Sequence, residues 1–475
     1  MERVTVEAIE YSIHTLLDHI ERDHIEIHNL ILSRGDKIIF CGEWKPYDIH
    51  TPYIIHSLTK IFTNTAIGFA MYEGKIRMSD TVVDFFPEYF QTDYDRRYER
   101  MTVESLIRMQ NGHGRMISGN EWRPLQSSWL EAFFREPMAY EPLTHYQYSS
   151  GNSYILSAIL QRAIGMRTEE YLRTRFFEPL GIDDYTWDVS PEGINPGGNG
   201  LSLSTLSLHK AGLLYLQRGS WNGQQLLPKA WIDTAMGRIP FSLGENSGYA
   251  YHWESRGGCF LAGGAFGQTL AVIPDKNMAL TATAACEGED LWNHIVHDLG
   301  LEDQNVRFHL FREDLQKRAK RLSMERVPTQ GIPLEAGQEG SYDMEENAYG
   351  IRSIEVEQEE DGVVFKMRDQ RGLHSVRCGT GEWRYSMTSM TGNYLHHQYQ
   401  PKRIKVAAFA WWKDKQLLYL KWRYPGMAFC DTVKIHFSAD GGRIWMDRSV
   451  NINSQARSLD TVTGRKRPMK GTKDI

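Results

Sequence analysis

The stretch that decides how this chain folds is Ser57-Leu58-Thr59-Lys60-Ile61-Phe62-Thr63-Asn64-Thr65-Ala66-Ile67-Gly68-Phe69-Ala70-Met71-Tyr72. Ile61, Phe62, Ala66, Ile67, Phe69 and Ala70 nearly surround the helical wheel, so the spacing predicts a helix buried in a core, with Gly74 ending it. At its start a serine and a lysine three residues apart share one face, with Cβ atoms roughly 5–6 Å apart. The positive end of a helix favours a hydroxyl that is losing its proton. Burial favours the neutral amine of a lysine, which can then act as a base towards Ser57. A serine at a helix start with a lysine in the first turn is also a common structural pair, so these four residues need support from elsewhere in the chain.

Working outward, residues 1–22 place Val6, Ile9, Ile13, Leu16, Leu17 and Ile20 at helical spacing among acidic residues. That pattern predicts an amphipathic helix and not a secretory leader. His28 to Ser33 and Lys37 to Phe40 flank Arg34-Gly35-Asp36 and read as a hairpin. Helices are predicted over 102–109, 153–165, 168–175, 205–217 and 228–236. Strands are predicted over 249–253, 258–261, 269–273 and 279–284, with a helix over 289–299. The order suggests an antiparallel sheet made from both ends of a domain, with a helical region inserted between them. A charged helix-like stretch at 308–321 leads into Val327-Pro328-Thr329-Gln330-Gly331-Ile332-Pro333, the expected boundary. Beyond it lie short strands at 354–356, 363–367, 404–412, 416–422 and 433–437, separated by turns, which suggest a small barrel or sandwich. The expected fold class is therefore α+β: a first domain over 1–325, an all-β domain over 326–455, and a basic tail over 456–475 expected to be flexible.

Composition narrows the function classes. Among 475 residues, 19 Phe, 13 Trp and 23 Tyr can fill a large core, which excludes disorder over most of the length. The formal charge of −6, from 54 basic and 60 acidic residues, gives no field that argues for nucleic acid. Without a run of eighteen apolar residues, no membrane span is expected. Cys41, Cys259, Cys286, Cys378 and Cys430 form no CxxC pair, so a reduced, cytoplasmic protein without a disulfide framework is expected. His294 and His297 stand at i and i+3, and His396 and His397 are adjacent. Neither pair has a third ligand nearby in sequence, so no metal site is expected, nor any cofactor. GxSxG, P-loop and dinucleotide patterns do not occur.

Two further segments carry chemistry. Gln147-Tyr148-Ser149-Ser150-Gly151-Asn152 precedes an amphipathic helix, and its tyrosine could shuttle a proton with the lysine. Leu261-Ala262-Gly263-Gly264-Ala265-Phe266-Gly267-Gln268 lies between two predicted strands. Its glycines would let backbone approach a ligand, and an edge amide there could supply half of an oxyanion hole with the amide of Ser57.

In this order and spacing the three elements resemble the serine β-lactamase and penicillin-binding-protein superfamily, and within it the class C β-lactamase-like serine hydrolases. The resemblance extends over about 280 residues. It includes Glu73-Gly74-Lys75-Ile76, Met101-Thr102-Val103-Glu104-Ser105-Leu106-Ile107, Asn111-Gly112-His113, Phe177-Glu178-Pro179-Leu180-Gly181 and Gly197-Gly198-Asn199-Gly200. The C-terminal β region resembles the lipocalin-like domain that some members carry. The resemblance implies Ser57 as the acyl-forming nucleophile, Lys60 as its base partner and Tyr148 as shared acid and base. It implies Ala265, beside Gly264, as the second oxyanion donor, and it puts His113 in a loop near the cleft. Two positions depart from the family pattern. Ser150 stands where an Asn usually binds a substrate amide, and Ala262 stands where Lys or His usually grips a substrate carboxylate. β-Lactamase and D-Ala-D-Ala carboxypeptidase activities are demoted accordingly. The expectation is a serine hydrolase acting through an acyl-enzyme on an ester or amide of a small molecule or peptide. Acyl transfer, including peptide cyclisation from a carrier thioester, is a minor variant. The alternative is a catalytically impaired binding or sensing module. Homo-oligomerisation is compatible with either.

Overall fold

The computed structural model describes residues 6–237, 242–244, 247–256, 258–286, 288–299, 314–324, 338–390, 403–450, 458 and 460–468. The boundary segment at 327–333, the pair His396 and His397, and the first part of the stretch at 308–321 lie outside the described residues. The chain divides into two compact units. One comprises 1–44 and 48–322, the other 45–47 and 323–475.

In the first unit, Ile27–Arg34 is buried along nearly its whole length, as is Met278–Ala284. Strands buried on both faces have cover on both sides. These two pair antiparallel at the centre of the sheet, with Leu32 opposite Leu280. The sheet runs Lys37–Glu43, Ile27–Arg34, Met278–Ala284, Gln268–Ile273, Cys259–Gly264, Trp253–Arg256, Ser247–Ala250, Ser242–Gly244. Both ends of the unit therefore meet in adjacent strands, and the helical region lies between them in sequence. On one face Trp292, from helix Gly288–Asp298, fills the space that a side chain at Gly263 would occupy. On the other, helix Thr205–Leu216 meets the sheet through Gly212 against Leu270 and through His209, whose Nδ1 lies 2.9 Å from Thr281 Oγ1. Helix Thr59–Tyr72 is buried all round from Thr59 to Ala70, as its apolar wheel predicts.

The single strand expected over 249–253 is instead two strands and a turn. Ser247–Ala250 and Trp253–Arg256 pair antiparallel around Tyr251 and His252, whose φ angles are 49° and 68°. Two consecutive left-handed residues are what a tight hairpin needs, and an aromatic-rich sequence without glycine conceals them. Asn64 Nδ2 holds the turn by donating to the Tyr251 carbonyl at 2.6 Å.

In the second unit ten strands pair in the order Gly372–Gly379, Gly362–Asp369, Ser353–Glu359, Gly340–Met344, Val462–Lys466, Arg443–Val450, Cys430–Phe437, Leu417–Arg423, Ile404–Trp412, Arg384–Thr388. Gly379 returns to pair with Phe409, so nine of them close a barrel and Arg384–Thr388 pairs beyond the seam. Trp422 stacks on Phe365, and the fully buried Asp431 accepts from Arg448, Trp422 Nε1 and Tyr424 Oη at 2.6, 2.9 and 2.9 Å. A buried carboxylate needs such a set of donors. The tail expected to be flexible is corrected in part. Val462–Lys466 is a barrel strand between Gly340–Met344 and Arg443–Val450. It reads as a tail because only Val462 among its five residues is apolar, yet Gly464 packs on Met344 where a side chain would not fit.

Candidate active site

Ser57 sits in a 3-10 turn, His56–Leu58, that leads into helix Thr59–Tyr72. The preceding residue, His56, has a φ of 51°, an uncommon conformation for a side chain of that size. Lys60 follows one turn later and is 2% exposed. Its ammonium donates to Ser57 Oγ at 3.0 Å, to Ser150 Oγ at 3.2 Å and to the Gly198 carbonyl at 2.9 Å. An ammonium has three protons, so every donor has an acceptor and the amine is fixed in place.

Tyr148 enters from the loop before helix Ser150–Ile164. The Lys60 amine lies 4.8 Å from the centre of its ring. The loop is tied down on both sides, by Gln147 N to the Met109 carbonyl at 2.8 Å and by Ser150 N to the Ile117 carbonyl at 2.9 Å. Tyr249, on the hairpin strand, meets Tyr148 edge-on at 6.1 Å and Tyr146 at 5.4 Å. Burial pushes the phenols of Tyr146 and Tyr249 above their ordinary range, so both are neutral at working pH.

The Gly198 carbonyl reaches Lys60 because Gly197 and Gly198 pass against the start of helix Ser150–Ile164. A Cβ on Gly197 would lie 2.0 Å from the Ser153 carbonyl oxygen. The strand Cys259–Gly264 ends beside the serine turn. A Cβ on Gly264 would lie 2.3 Å from the Ile55 carbonyl oxygen, so only glycine lets this strand end abut the segment leading to Ser57. Ala265 follows in an exposed turn. Phe266, with a φ of 66°, sets its ring edge-on to His56 at 5.2 Å. Ala262, two residues before Gly264 on the same strand face, is 4% exposed and carries no polar group. The arginine of the neighbouring strand, Arg256, bonds Glu254 and lies over Trp292, on the Gly263 face of the sheet.

The structure thus brings Ser57, Lys60, Tyr148 and Ser150 together and sets Gly264 and Ala265 beside the serine turn. His113 is placed differently. It is 1% exposed, its Nε2 lies 3.1 Å from Tyr98 Oη, and its ring packs on Phe133 at 4.6 Å. Burial, helped by the charge of Arg115, pushes its imidazole down to about 3, so it is a neutral core residue. Ser150 contributes its hydroxyl to Lys60, a contact that its place in the family pattern does not announce.

Two participants escape sequence reasoning. The Gly198 carbonyl is backbone and has no residue signature. His252 belongs to the concealed turn: its Nδ1 lies 2.8 Å from the Lys60 carbonyl and its Nε2 3.2 Å from Ser153 Oγ. One imidazole therefore links the hairpin to both helices that bear the site. Burial first, then the charge of Lys60, pushes it down to about 3, against the opposing hydrogen bond to the Lys60 carbonyl. A neutral ring can donate at one nitrogen and accept at the other, which fits its two partners.

Comparison with known proteins agrees with this fold. The family model described as Beta-lactamase matches residues 21–291, more than half of the chain. A Salmonella agona protein provisionally named a D-alanyl-D-alanine carboxypeptidase is 23% identical over 253 residues, covering 47% of this chain and 56% of that protein. The chain thus spans little more than half the length of this curated relative. Among solved structures, a Bacillus anthracis protein provisionally named a 6-aminohexanoate-dimer hydrolase superposes with a TM-score of 0.52 at 18% identity, over 59% of this chain and 82% of that one. SurE with D-Leu superposes with a TM-score of 0.51 at 17% identity, over 88% and 97%. These likenesses establish the fold. Among the described residues no helix is long and apolar enough to cross a membrane, and all five cysteines are free thiols.

Proposed function

Since the chain belongs to the β-lactamase family, we propose that it is a serine hydrolase that forms an acyl-enzyme on Ser57 from a carboxylic ester or amide. The observation that carries this reading is the bond from Lys60 to Ser57 Oγ, with the remaining protons of the ammonium held by Ser150 and Gly198. In its amine form Lys60 takes the hydroxyl proton as Ser57 Oγ attacks the acyl carbonyl. Tyr148, against Lys60, passes a proton to the departing alcohol or amine. The amides of Ser57 and Ala265 hold the oxyanion, Gly264 allowing the close approach. Water, activated by the same groups, then releases the acid. An amine in place of water would give acyl transfer.

The acyl side favours uncharged groups. Ala262 offers no cation to a substrate carboxylate, whereas Tyr148, partly exposed beside Lys60 and backed by the ring of Tyr249, offers aromatic surface. Esters and amides without a free carboxylate beside the scissile bond are therefore the preferred class, ahead of the D-Ala-D-Ala termini suggested by the name of the Salmonella relative. D-Configured residues remain in the substrate panel because SurE, of similar fold, was solved with D-Leu. Ala262 is also what favours the second reading, a pocket that binds without turnover.

The test is steady-state hydrolysis of short-chain nitrophenyl esters and of D- and L-amino-acid amides by the protein and by Ser57→Ala. Turnover that disappears in the variant supports the hydrolase. Binding without turnover and without a covalent adduct supports the second reading.

A further inference from the structure

Away from the site, helix Val6–Arg22 and helix Gly288–Asp298 bring three imidazoles to one carboxylate. Asp298 is buried, with a side chain wholly out of solvent. His19 Nδ1 and His297 Nδ1 each lie 2.8 Å from its oxygens, and His294 Nδ1 lies 3.8 Å away. The same ring nitrogen of all three histidines thus faces the same group. Ligand atoms of His19, His297 and Asp298 all fall within 4.8 Å of one another. A tetrahedral zinc ion with ligands near 2.0–2.1 Å separates them by about 3.3 Å, so these three must draw in by side-chain rotation and His294, outside this group but 3.8 Å from Asp298, must swing in as the fourth.

The outer groups are arranged as such a site requires. His294 Nε2 lies 3.0 Å from Asp23 Oδ2, a carboxylate that orients the ring and holds a proton on the far nitrogen, leaving Nδ1 for an ion. His297 is 63% exposed at its side chain and gives an entry path, while His19 and His294 are mostly covered. From the sequence only His294 and His297 stand out and no metal site is expected, because Asp298, next to His297, is not singled out as a ligand and His19 lies 279 positions earlier than Asp298.

We propose that His19, His294, His297 and Asp298 bind one divalent transition-metal ion of the zinc type, which clasps helix Val6–Arg22 to helix Gly288–Asp298. Its role is structural, since these residues are not among those that meet at Ser57. Helix Gly288–Asp298 also carries Trp292, which packs behind Gly263 in the strand that ends beside Ser57, so the clasp steadies that strand from its rear face.

The experiment strips the intact chain with chelator, then titrates it with zinc chloride alone, followed by calorimetry and thermal unfolding. One zinc per chain and a raised melting temperature are expected. His297→Ala, at an exposed position that folding tolerates, is expected to weaken zinc binding at least about tenfold, and Asp23→Asn by about tenfold. Cobalt substituted for zinc is expected to give the intense visible bands of a four-coordinate site. The proposal is overturned if no stoichiometric binding occurs, or if His297→Ala binds zinc as tightly as the parent, which would assign the ion to other histidines among the seventeen. Six-coordinate cobalt spectra would overturn it as well.

Discussion

On the lysine side of Ser57 a connected set of hydrogen bonds fixes the amine: Lys60 meets Ser57, Ser150 and Gly198, and His252 braces the Lys60 carbonyl against Ser153. On the strand side the chain offers backbone and little else. Gly264 is held against the Ile55 carbonyl by the lack of a side chain, and Ala262, on the same strand face, has no polar group to offer. The contrast separates two tasks. The first wall moves protons and must be rigid to a fraction of an ångström. The second selects the acyl group, and losing a charged grip there alters specificity without dismantling the proton path.

The largest expected effect is on the first wall. Lys60→Ala should lower ester turnover by at least about a thousandfold, as removal of one member of a cooperating catalytic set does. A loss under tenfold in steady-state assays would return Lys60 to a structural role. Tyr148→Phe should cost about a hundredfold, the usual worth of one positioned proton donor. If turnover is unchanged, leaving-group protonation comes from elsewhere.

An acid-stability measurement probes the brace. Burial holds His252 down to about 3, against an ordinary 6.5. Between those values the unfolded chain binds a proton that the folded chain refuses. Its share of stability is therefore full at pH 6.5 and above, and falls as pH drops from 6.5 towards 3, by about 1.4 kcal/mol per pH unit. His113, down to about 3, and His209, down to about 4, act in the same direction. Denaturant unfolding at pH 5, 6 and 7 should show this slope, and His252→Gln should make it shallower. An identical slope in the variant would mean that His252 is protonated in the fold.

The smallest expected effect is on the second wall. Ala262→Lys should shift the ratio of kcat/KM values towards substrates with a carboxylate beside the scissile bond by about tenfold, near 1.4 kcal/mol. An unchanged ratio would mean that the Ala262 face does not meet substrate.

Much of this was legible beforehand because it is local. Ser57 and Lys60 share a face by helical spacing alone, and the apolar wheel of Thr59–Tyr72 announces burial. That a sheet draws on both ends of the unit is suggested by the order of elements, but the register that pairs Ile27–Arg34 with Met278–Ala284 is not, since His28, Asn29 and Ser33 interrupt the first run and Thr281 and Thr283 the second. What stayed hidden depends on backbone or on distant partners. Tyr251 and His252 turn the chain with positive φ where the residue types suggest a straight strand. The Gly198 carbonyl has no side chain to notice. His19 and Asp298 meet only because two helices from opposite ends of the unit lie side by side. The strand Val462–Lys466 is recognisable only from the partners on its flanks.

The account stands most directly on which atom becomes acylated. Treating the intact protein with a nitrophenyl ester and mapping the adduct by peptide mass spectrometry should give one acyl group, on Ser57, that forms neither in Ser57→Ala nor in Lys60→Ala. An adduct on another residue, or an undiminished Ser57 adduct in Lys60→Ala, would contradict it.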